Sequence, residues 1–204
     1  MPERLHEVVI FAGPHGAGKD TVENLFTAAE PDAIRHVRYS SRAQAPGEVR
    51  GQTYNFVSPE EFGAMVGQDA FIDYAHYPEG SSGIAYSDML QDVEAHRYTS
   101  ITTNFEEGLS LAQRLGALQI SNRCLFIGPC AKETMITEPD RYLSALARRM
   151  TRRSRASDDI ALRLSKAELY RKLFIATQGE IAYINNEDGA QEAAVDQVRM
   201  LLGR

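Results

Sequence analysis

The residues most able to do chemistry in this sequence stand between its first apolar run and its first helical pattern. Gly13–Asp20 (GPHGAGKD) matches the pattern G-x-x-x-x-G-K and directly follows the apolar run Val8–Ala12. Glycines let such a loop curl so that its backbone N–H groups point at phosphate oxygens, and Lys19 adds a full positive charge. A helix is predicted to begin directly afterwards, and the partial positive charge of its N-terminus favours the same anion. The loop therefore predicts binding of a nucleoside triphosphate through Gly13, His15, Gly16, Ala17, Gly18, Lys19, Asp20 and Thr21.

Asp20 occupies the last place of this loop, where Ser or Thr is usual in the pattern. A hydroxyl at that place normally binds Mg²⁺, and a carboxylate is a harder oxygen ligand for the same ion. Asp20 is therefore the candidate metal ligand, with Mg²⁺ separating its charge from the phosphates. The alternative is that Asp20 only caps the following helix, because aspartate is a favoured N-cap residue.

Strands and helices alternate along most of the chain, which indicates an α/β fold. Val8–Ala12 and Arg123–Ile127 are apolar runs typical of parallel strands buried on both faces. Repeated strand–helix units predict a parallel sheet with helices on both faces, and short strands between residues 36 and 86 predict a small inserted lobe. The other predicted strands are His36–Ser41, Tyr54–Val57, Ala70–His76, Gly83–Tyr86, Thr99–Thr103 and Ile181–Ile184, and the predicted helices are Thr21–Ala29, one capped by Ser58, Ser87–Arg97, Glu106–Leu115, a region from Tyr142 to Met150, Asp158–Ile175 and Glu192–Leu202.

The composition of the whole chain excludes some classes of protein. With 204 residues and a formal net charge of -6, the chain is not expected to be a general nucleic-acid binder, whose field would be basic. Its apolar runs are too short to cross a bilayer and Met1–His6 lacks the features of a signal peptide, so a cytoplasmic protein without a membrane partner is predicted. Cys124 and Cys130 match no metal or redox spacing, and Cys124 is expected to be a buried small apolar residue.

Several segments together resemble the guanylate kinase family. The first is Ile10–Lys19 (IFAGPHGAGK), and the second is Ser41–Phe62 (SRAQAPGEVRGQTYNFVSPEEF), which is similar to the family segment T-T-R-x-x-R-x-G-E-x-x-G-x-x-Y-x-F-V-S-x-E-x-F. Phe71–Ala75 is similar to the family's F-[LI]-E-[WY]-A, and residues 152–163 and 185–188 follow its lid arginine, helix arginine and late V-N-D-D. The resemblance implies one domain with the P-loop NTPase fold, a three-layer α/β/α parallel sheet, in which residues 1–35 and 98–204 form the core, 36–97 a small inserted acceptor-binding lobe and 148–158 a basic lid.

The resemblance also implies roles for individual residues. Arg42 and Tyr54 fall where the family holds the phosphate of the acceptor, a task that suits a planar guanidinium and a phenol. Asp73 falls where a family glutamate contacts the guanine edge, and Asn186 falls where an asparagine lies near adenine. The implied reaction is in-line transfer of the γ-phosphoryl group of ATP, with Mg²⁺, to a small nucleoside monophosphate such as GMP or dGMP, and the implied catalytic residues are Lys19, Arg152 and Arg163.

The chain departs from the family pattern mainly where the acceptor would bind. Ala45 replaces the second phosphate-binding arginine, Arg38 replaces a serine that would contact the base, and Ser82 replaces a tyrosine. Arg38 and Ser82 stay candidate acceptor contacts at these positions. The family strand end D-x-D-x-Q-G corresponds to Thr102–Gly108, where the expected carboxylates are missing or displaced. Loss of one phosphate-binding arginine removes about 1.5–3 kcal/mol of binding free energy, and Arg38 or Arg50 offers a replacement charge.

Two other functions stay open at this point. The ribose 1,5-bisphosphate kinases are similar in having G-K-D in the loop and in lacking the strand-end acids, which makes a sugar phosphate an alternative acceptor. Guanylate-kinase-like scaffold domains bind phosphorylated peptides without catalysis, but such a module has no need of Lys19. Because Glu48–Tyr54 is more similar to guanylate kinases, a nucleotide acceptor is favoured.

Overall fold

The computed structural model describes residues 6–153 and 159–203, which form two β-sheets and the helices around them. The strands are β1 (Glu7–Ala12), β2 (Ala33–Arg35), β3 (Tyr39–Ser40), β4 (Asn55–Phe56), β5 (Phe71–Tyr77), β6 (Gly80–Ala85), β7 (Tyr98–Thr103), β8 (Asn122–Gly128) and β9 (Ala182–Asn185). The helices are α1 (Lys19–Ala29), α2 (Pro59–Gly67), α3 (Tyr86–Ala95), α4 (Phe105–Ala117), α5 (Lys132–Thr137), α6 (Pro139–Arg153), α7 (Ile160–Ala176) and α8 (Gln191–Leu201).

The central sheet is parallel, has the order β2-β7-β1-β8-β9 and lies between two layers of helices. In β1, the ring of Phe11 packs on Phe26 of α1, whereas the next residue, Ala12, faces Gly108 of α4. Because successive side chains of a strand point to opposite faces, α1 and α4 cover opposite faces of the sheet. The predicted three-layer α/β/α arrangement is therefore confirmed, and the carboxyl ends of β1 and β7 meet at one edge, where ligands bind in such sheets.

The second sheet is smaller and has the order β4-β3-β6-β5. β5 and β6 form an antiparallel hairpin around Pro78, as the Pro78/Gly80 turn signal predicts. α2 begins at the predicted place, because Ser58 and Glu61 form a capping box in which each side chain accepts a hydrogen bond from the other's backbone N–H. These strands form the small inserted lobe predicted from the sequence, and the boundaries given for it stay a prediction.

Two predicted elements differ clearly from the structure and two short elements were not predicted, and each difference has a local cause. The predicted strand His36–Ser41 is reduced to β3, because the chain first pairs with the central sheet through β2 and leaves it after the N–H of His36 donates to Ser100 O at 2.8 Å. β2 has three residues and α5 has six, too few for a hydrophobic period to be visible in the sequence. α6 begins at Pro139 rather than near Tyr142, since proline is well tolerated in the first turn of a helix.

The segment predicted to be a lid is described only in part. Residues 148–153 form the end of α6, and residues 154–158 lie outside the described residues. Cys124 is buried, as predicted, and both cysteines are free. Within the described ranges, no helix has the length and apolar character needed to cross a membrane.

Candidate active site

The loop between β1 and α1 has a backbone conformation that only glycine adopts without strain at three of its positions. Gly13 has φ 149°, Gly16 has φ 80° and Gly18 has φ 85°. A Cβ on Gly13 would approach Ile127 O to 2.6 Å, and a Cβ on Gly18 would collide with the side-chain amide of Asn186. The glycines recognised in the sequence are therefore required by the packing of the loop as well as by its curvature.

Lys19 is partly buried at the start of α1, and its Nζ donates a hydrogen bond to Pro14 O at 3.0 Å. Burial lowers the pKa of Lys19 to about 8, although the charges of Asp20 and Glu107 oppose this shift. A cation that has lost much of its hydration gains strongly from an approaching phosphate. The cavity beside Lys19 is lined by His15, Gly16, Gly18, Lys19, Asp20, Thr21, Arg149, Met150 and Arg163.

Asn186 fixes the loop from the side of β9. Its Nδ2 donates to Ala17 O at 2.7 Å, and its backbone N–H donates to Gly128 O at 2.8 Å. The side chain is buried, and Oδ1 has no hydrogen-bond partner among the described residues. A second cavity meets the loop at this point and is lined by Gly16, Gly18, Thr21, Arg149, Arg152, Asn186, Asp188 and Gln191. The predicted residues Asn186 and Arg152 thus come together beside the loop.

Arg149 is the main contact of this region that sequence reasoning did not identify. Its guanidinium donates to Gly16 O at 3.4 Å, to Ala17 O at 3.2 Å and to Asn186 O at 2.6 Å. It also forms an ion pair with Asp188 at 2.9 Å. The basic run Arg148–Arg155 was the only signal for it, because the sequence does not show which arginine of α6 faces the loop.

Asp20 lies in the first turn of α1 with 71% of its side chain exposed. The N-cap of α1 is Gly18, without a side-chain cap, so the alternative that Asp20 is an N-cap residue is wrong. Oδ1 of Asp20 accepts hydrogen bonds from Thr102 Oγ1 at 3.1 Å and from Arg35 Nη2 at 3.3 Å. No cluster of three or more His, Cys, Asp or Glu residues suited to a metal occurs among the described residues. Mg²⁺ needs no such cluster when substrate phosphates and water complete its coordination, so one exposed carboxylate at this place fits the ion.

Glu107 stands near the end of β7, where the sequence lacks the expected strand-end acids. It accepts hydrogen bonds from Thr103 Oγ1 at 2.6 Å and from the hydroxyl of Tyr77, and Arg38 Nη1 lies 4.0 Å away. Burial alone would raise the pKa of Glu107, but these hydrogen bonds and the charge of Arg38 hold it below its usual value. The first turn of α4, rather than the end of β7, therefore supplies an ionised carboxylate. The sequence alone did not reveal this position of the charge.

The small lobe contributes a further cavity, lined by Ser40, Arg42, Tyr54, Tyr77, Glu79, Gly80, Ser81 and Ser82. Arg42 forms a two-pronged pair with Glu48, and its guanidinium lies 4.9 Å from the centre of the Tyr54 ring. The hydroxyl of Ser82 is buried without a hydrogen-bond partner in the described chain. Three of the five predicted acceptor contacts, Arg42, Tyr54 and Ser82, therefore line one cavity.

The two other predicted acceptor contacts lie elsewhere. Arg38 lines an adjoining cavity together with Asp20, Arg35, His36, Thr53, Tyr54, Ile101 and Thr102. Asp73 is buried on β5, 3.5 Å from Arg114, and is absent from the residues that line the Arg42 cavity. Burial raises the pKa of Asp73, against the opposing charges of Arg114 and Arg38. Tyr54 is shared by the two cavities of the lobe, and Asp20 is shared by the Arg38 cavity and the Lys19 cavity.

Glu23 of α1 is a completely buried carboxyl group, and burial raises its pKa to about 7 despite Arg35 and Ser100. Because the folded-state pKa lies above the usual 4.5, ionisation of Glu23 costs stability progressively as the pH rises from 4.5 to about 7. We expect Glu23→Gln to raise the free energy of unfolding by about 1–3 kcal/mol at pH 8 and by much less at pH 5. Thermal unfolding at the two pH values measures this, and an equal change at both would contradict it.

Comparisons with known proteins bear on the family and on the fold. The sequence model of the family described as guanylate kinase matches residues 5–168. A guanylate kinase of Synechococcus elongatus is 30% identical over 167 residues, which cover 80% of this chain and 82% of the relative. A guanylate kinase of Xanthomonas oryzae pv. oryzae is 31% identical over 159 residues, 78% of this chain and 71% of the relative. The crystal structure of guanylate kinase from Anaplasma phagocytophilum has the same fold, with a TM-score of 0.66 and 17% identity over 98% of this chain and 86% of that one.

Proposed function

Because the chain belongs to the guanylate kinase family and is an ATP-dependent nucleoside monophosphate kinase, we propose that its acceptor is GMP or dGMP. The observation that carries this proposal is the succession of cavities from Lys19 past Asp20 to Tyr54 and Arg42. A triphosphate on the loop and a monophosphate in the lobe would approach each other along this succession. The transfer then depends on positioning and charge neutralisation rather than on a protein nucleophile.

The triphosphate end is supported by the loop and by the residues that hold it. Backbone N–H groups of the loop and Nζ of Lys19 would contact the β and γ phosphates. Arg149 and Asn186 fix carbonyl groups of the loop, so the loop amides are already oriented. Asp20 and the phosphates would hold Mg²⁺, which neutralises phosphate charge when it is bound.

The phosphate of the acceptor would be held by Arg42, Tyr54 and Ser82. The carboxylate of Glu48 accepts two hydrogen bonds from the guanidinium of Arg42, and the ring of Tyr54 lies beside that guanidinium. The guanidinium is therefore ordered before the acceptor arrives. The orphan hydroxyl of Ser82 supplies a donor in the same cavity. Among the described residues that line this cavity, Arg42 is the only arginine, which agrees with the loss of the second family arginine at Ala45.

Guanine rather than adenine is favoured by the acids that accompany Arg38. Guanine presents N–H donors at N1 and N2 and acceptors at O6 and N7, so its recognition needs carboxylates together with a donor such as arginine. Glu107 and Asp73 carry carboxylates whose pKa values are influenced by Arg38, and Arg38 itself has a buried Nε without a hydrogen-bond partner in the described structure. Adenine has an acceptor at N1 and a single donor group at N6, so it cannot offer the paired N1 and N2 donors that guanine offers to a carboxylate.

The transferring phosphoryl group would be neutralised by Lys19, Arg152 and Arg163. Arg152 lines the Asn186 cavity and Arg163 lines the Lys19 cavity, so the two arginines approach the loop from α6 and α7. Positive groups held in place before reaction stabilise the charge that develops on the transferring oxygens. Arg149, Met150 and Arg152 of α6 line these cavities, so they would shield the bound phosphates from water and limit hydrolysis of ATP.

The test is a coupled assay of ADP release with GMP, dGMP, AMP and ribose 1,5-bisphosphate as acceptors. We expect kcat/KM for GMP or dGMP to exceed that for the other acceptors by at least about 100-fold, because unpaired buried polar groups penalise the wrong base. The comparisons give no support to a sugar phosphate or phosphopeptide partner. Preferential turnover of the bisphosphate, or tight ATP binding without turnover of any monophosphate, would overturn the proposal.

A further inference from the structure

Arg35, which ends β2, connects the central sheet to the first turns of α1. Its Nη2 lies 3.3 Å from Asp20 Oδ1, its Nε lies 3.0 Å from Glu23 Oε2, and its Nη1 donates to Asn24 Oδ1 at 3.3 Å. These three partners stand at positions i, i+3 and i+4 of α1 and therefore share one face of the helix. One planar guanidinium thus spans the helix face that begins at the phosphate loop.

Both the backbone and the guanidinium of Arg35 are held by neighbouring residues. Its backbone pairs with Ser100 in the β2–β7 ladder, and Ser100 Oγ donates to the completely buried Glu23 at 3.0 Å. Oε2 of Glu23 has no aligned hydrogen-bond donor among the described residues, so its contact with Arg35 is an ion pair. The guanidinium therefore stands in a fixed place, and at pH 8, where Glu23 is ionised, the charge of Arg35 is largely balanced by Glu23.

The two carboxylate oxygens of Asp20, Oδ1 and Oδ2, differ in their hydrogen bonds. Arg35 and Thr102 both donate to Oδ1, from β2 and β7 respectively. Among the described residues no hydrogen bond or ion pair to Oδ2 is present. Donors from two strands restrict the rotation of the carboxylate and leave one oxygen for a cation, as partners of metal-binding carboxylates generally do.

We propose that Arg35 is a positioning residue that orients the carboxylate of Asp20 so that Oδ2 can bind the Mg²⁺ of the bound nucleotide. This inference rests on the metal role proposed for Asp20. A simple electrostatic effect would have the opposite sign, because removing a positive charge near Asp20 would strengthen cation binding. The sign of the change in metal affinity therefore separates the two effects.

The test uses a charge-neutral double variant, Arg35→Gln with Glu23→Gln, which removes the ion pair without leaving a buried charge. Binding of Mn²⁺ to the complex of the protein with a non-hydrolysable ATP analogue is measured by electron paramagnetic resonance at pH 8. Affinity for the analogue itself is measured separately in EDTA. The matched control is Arg199→Gln with Glu30→Gln, which removes an equivalent pair of 2.7 Å between α8 and the end of α1.

We expect the Arg35 and Glu23 double variant to bind Mn²⁺ about tenfold more weakly, the lower end of the usual range for such partners, with unchanged analogue affinity in EDTA. The control pair should leave Mn²⁺ affinity unchanged. Unchanged or tighter Mn²⁺ binding in the double variant would overturn the inference. Asp20→Ala, which leaves no oxygen ligand at this place, must also weaken Mn²⁺ binding, or the inference fails with the assignment of Asp20. No acceptor is present in these measurements, so they are independent of whether GMP is phosphorylated, which the coupled assay tests.

Discussion

Lys19→Met is expected to lower kcat/KM for phosphoryl transfer by about 10²–10³-fold, the usual effect of removing one fixed charge-stabilising donor. Lys19 is the lysine at the end of the loop, and burial has already lowered its pKa to about 8. An interaction of Lys19 with the transferring phosphoryl group would therefore replace little hydration. Methionine has a similar length and no charge, so the packing of the first turn of α1 should be kept.

Steady-state kinetics with ATP and GMP, together with thermal unfolding, measure this effect. The control is Lys166→Met on the exposed part of α7, which removes the same charge away from the cavities and should leave turnover unchanged. A Lys19→Met protein with normal kcat/KM and normal stability would show that the loop has another role. A protein that has lost turnover together with its fold would require the milder change Lys19→Arg.

Arg42→Met is expected to raise KM for the acceptor by about 10- to 100-fold, because loss of a charged hydrogen-bond donor costs about 1.5–3 kcal/mol. Arg42 lines the cavity of the small lobe, and among the residues described there it is the one arginine. KM for ATP should change little, because the residues lining the two cavities around the loop do not include Arg42. The separation of the two KM values is the result that identifies the acceptor side.

A matched control exists for the loss of the arginine–glutamate fork itself. Arg171 forms a similar two-pronged pair with Glu168 on α7, with distances of 2.7 and 2.9 Å. Arg171→Met should lower stability without changing KM for the acceptor. An equal rise of both KM values in Arg42→Met would refute its assignment to the acceptor.

The parts of the site that were predictable from the sequence depend on short, local patterns. Gly13–Asp20 is contiguous and stands between a buried strand and a helix, so its loop could be recognised without the fold. Ser58 and Glu61 form the predicted capping box for the same reason, since all of its partners lie within four residues. Long apolar runs such as Val8–Ala12 likewise predicted buried strands of the central sheet.

The contacts that could not be predicted join residues far apart in the chain. Arg149 reaches carbonyl groups of the loop more than 130 positions earlier, and Arg35 meets Asp20 only because β2 lies beside the first turns of α1. Glu107 carries a strand-end charge from the first turn of α4, where the family pattern has a different residue type. Such contacts depend on the order of the strands in the sheet, and the spacing of apolar residues along one sequence does not determine that order.

The most direct test of phosphoryl transfer to a guanine nucleotide is transfer of label from [γ-³²P]ATP in the presence of GMP and Mg²⁺. We expect the label to appear in GDP, its appearance to require both GMP and the metal, and Lys19→Met to slow it by about 10²–10³-fold. Label found only in inorganic phosphate, or transferred equally well to AMP, would contradict the proposal that this protein passes the γ-phosphoryl group of ATP to a guanine nucleotide.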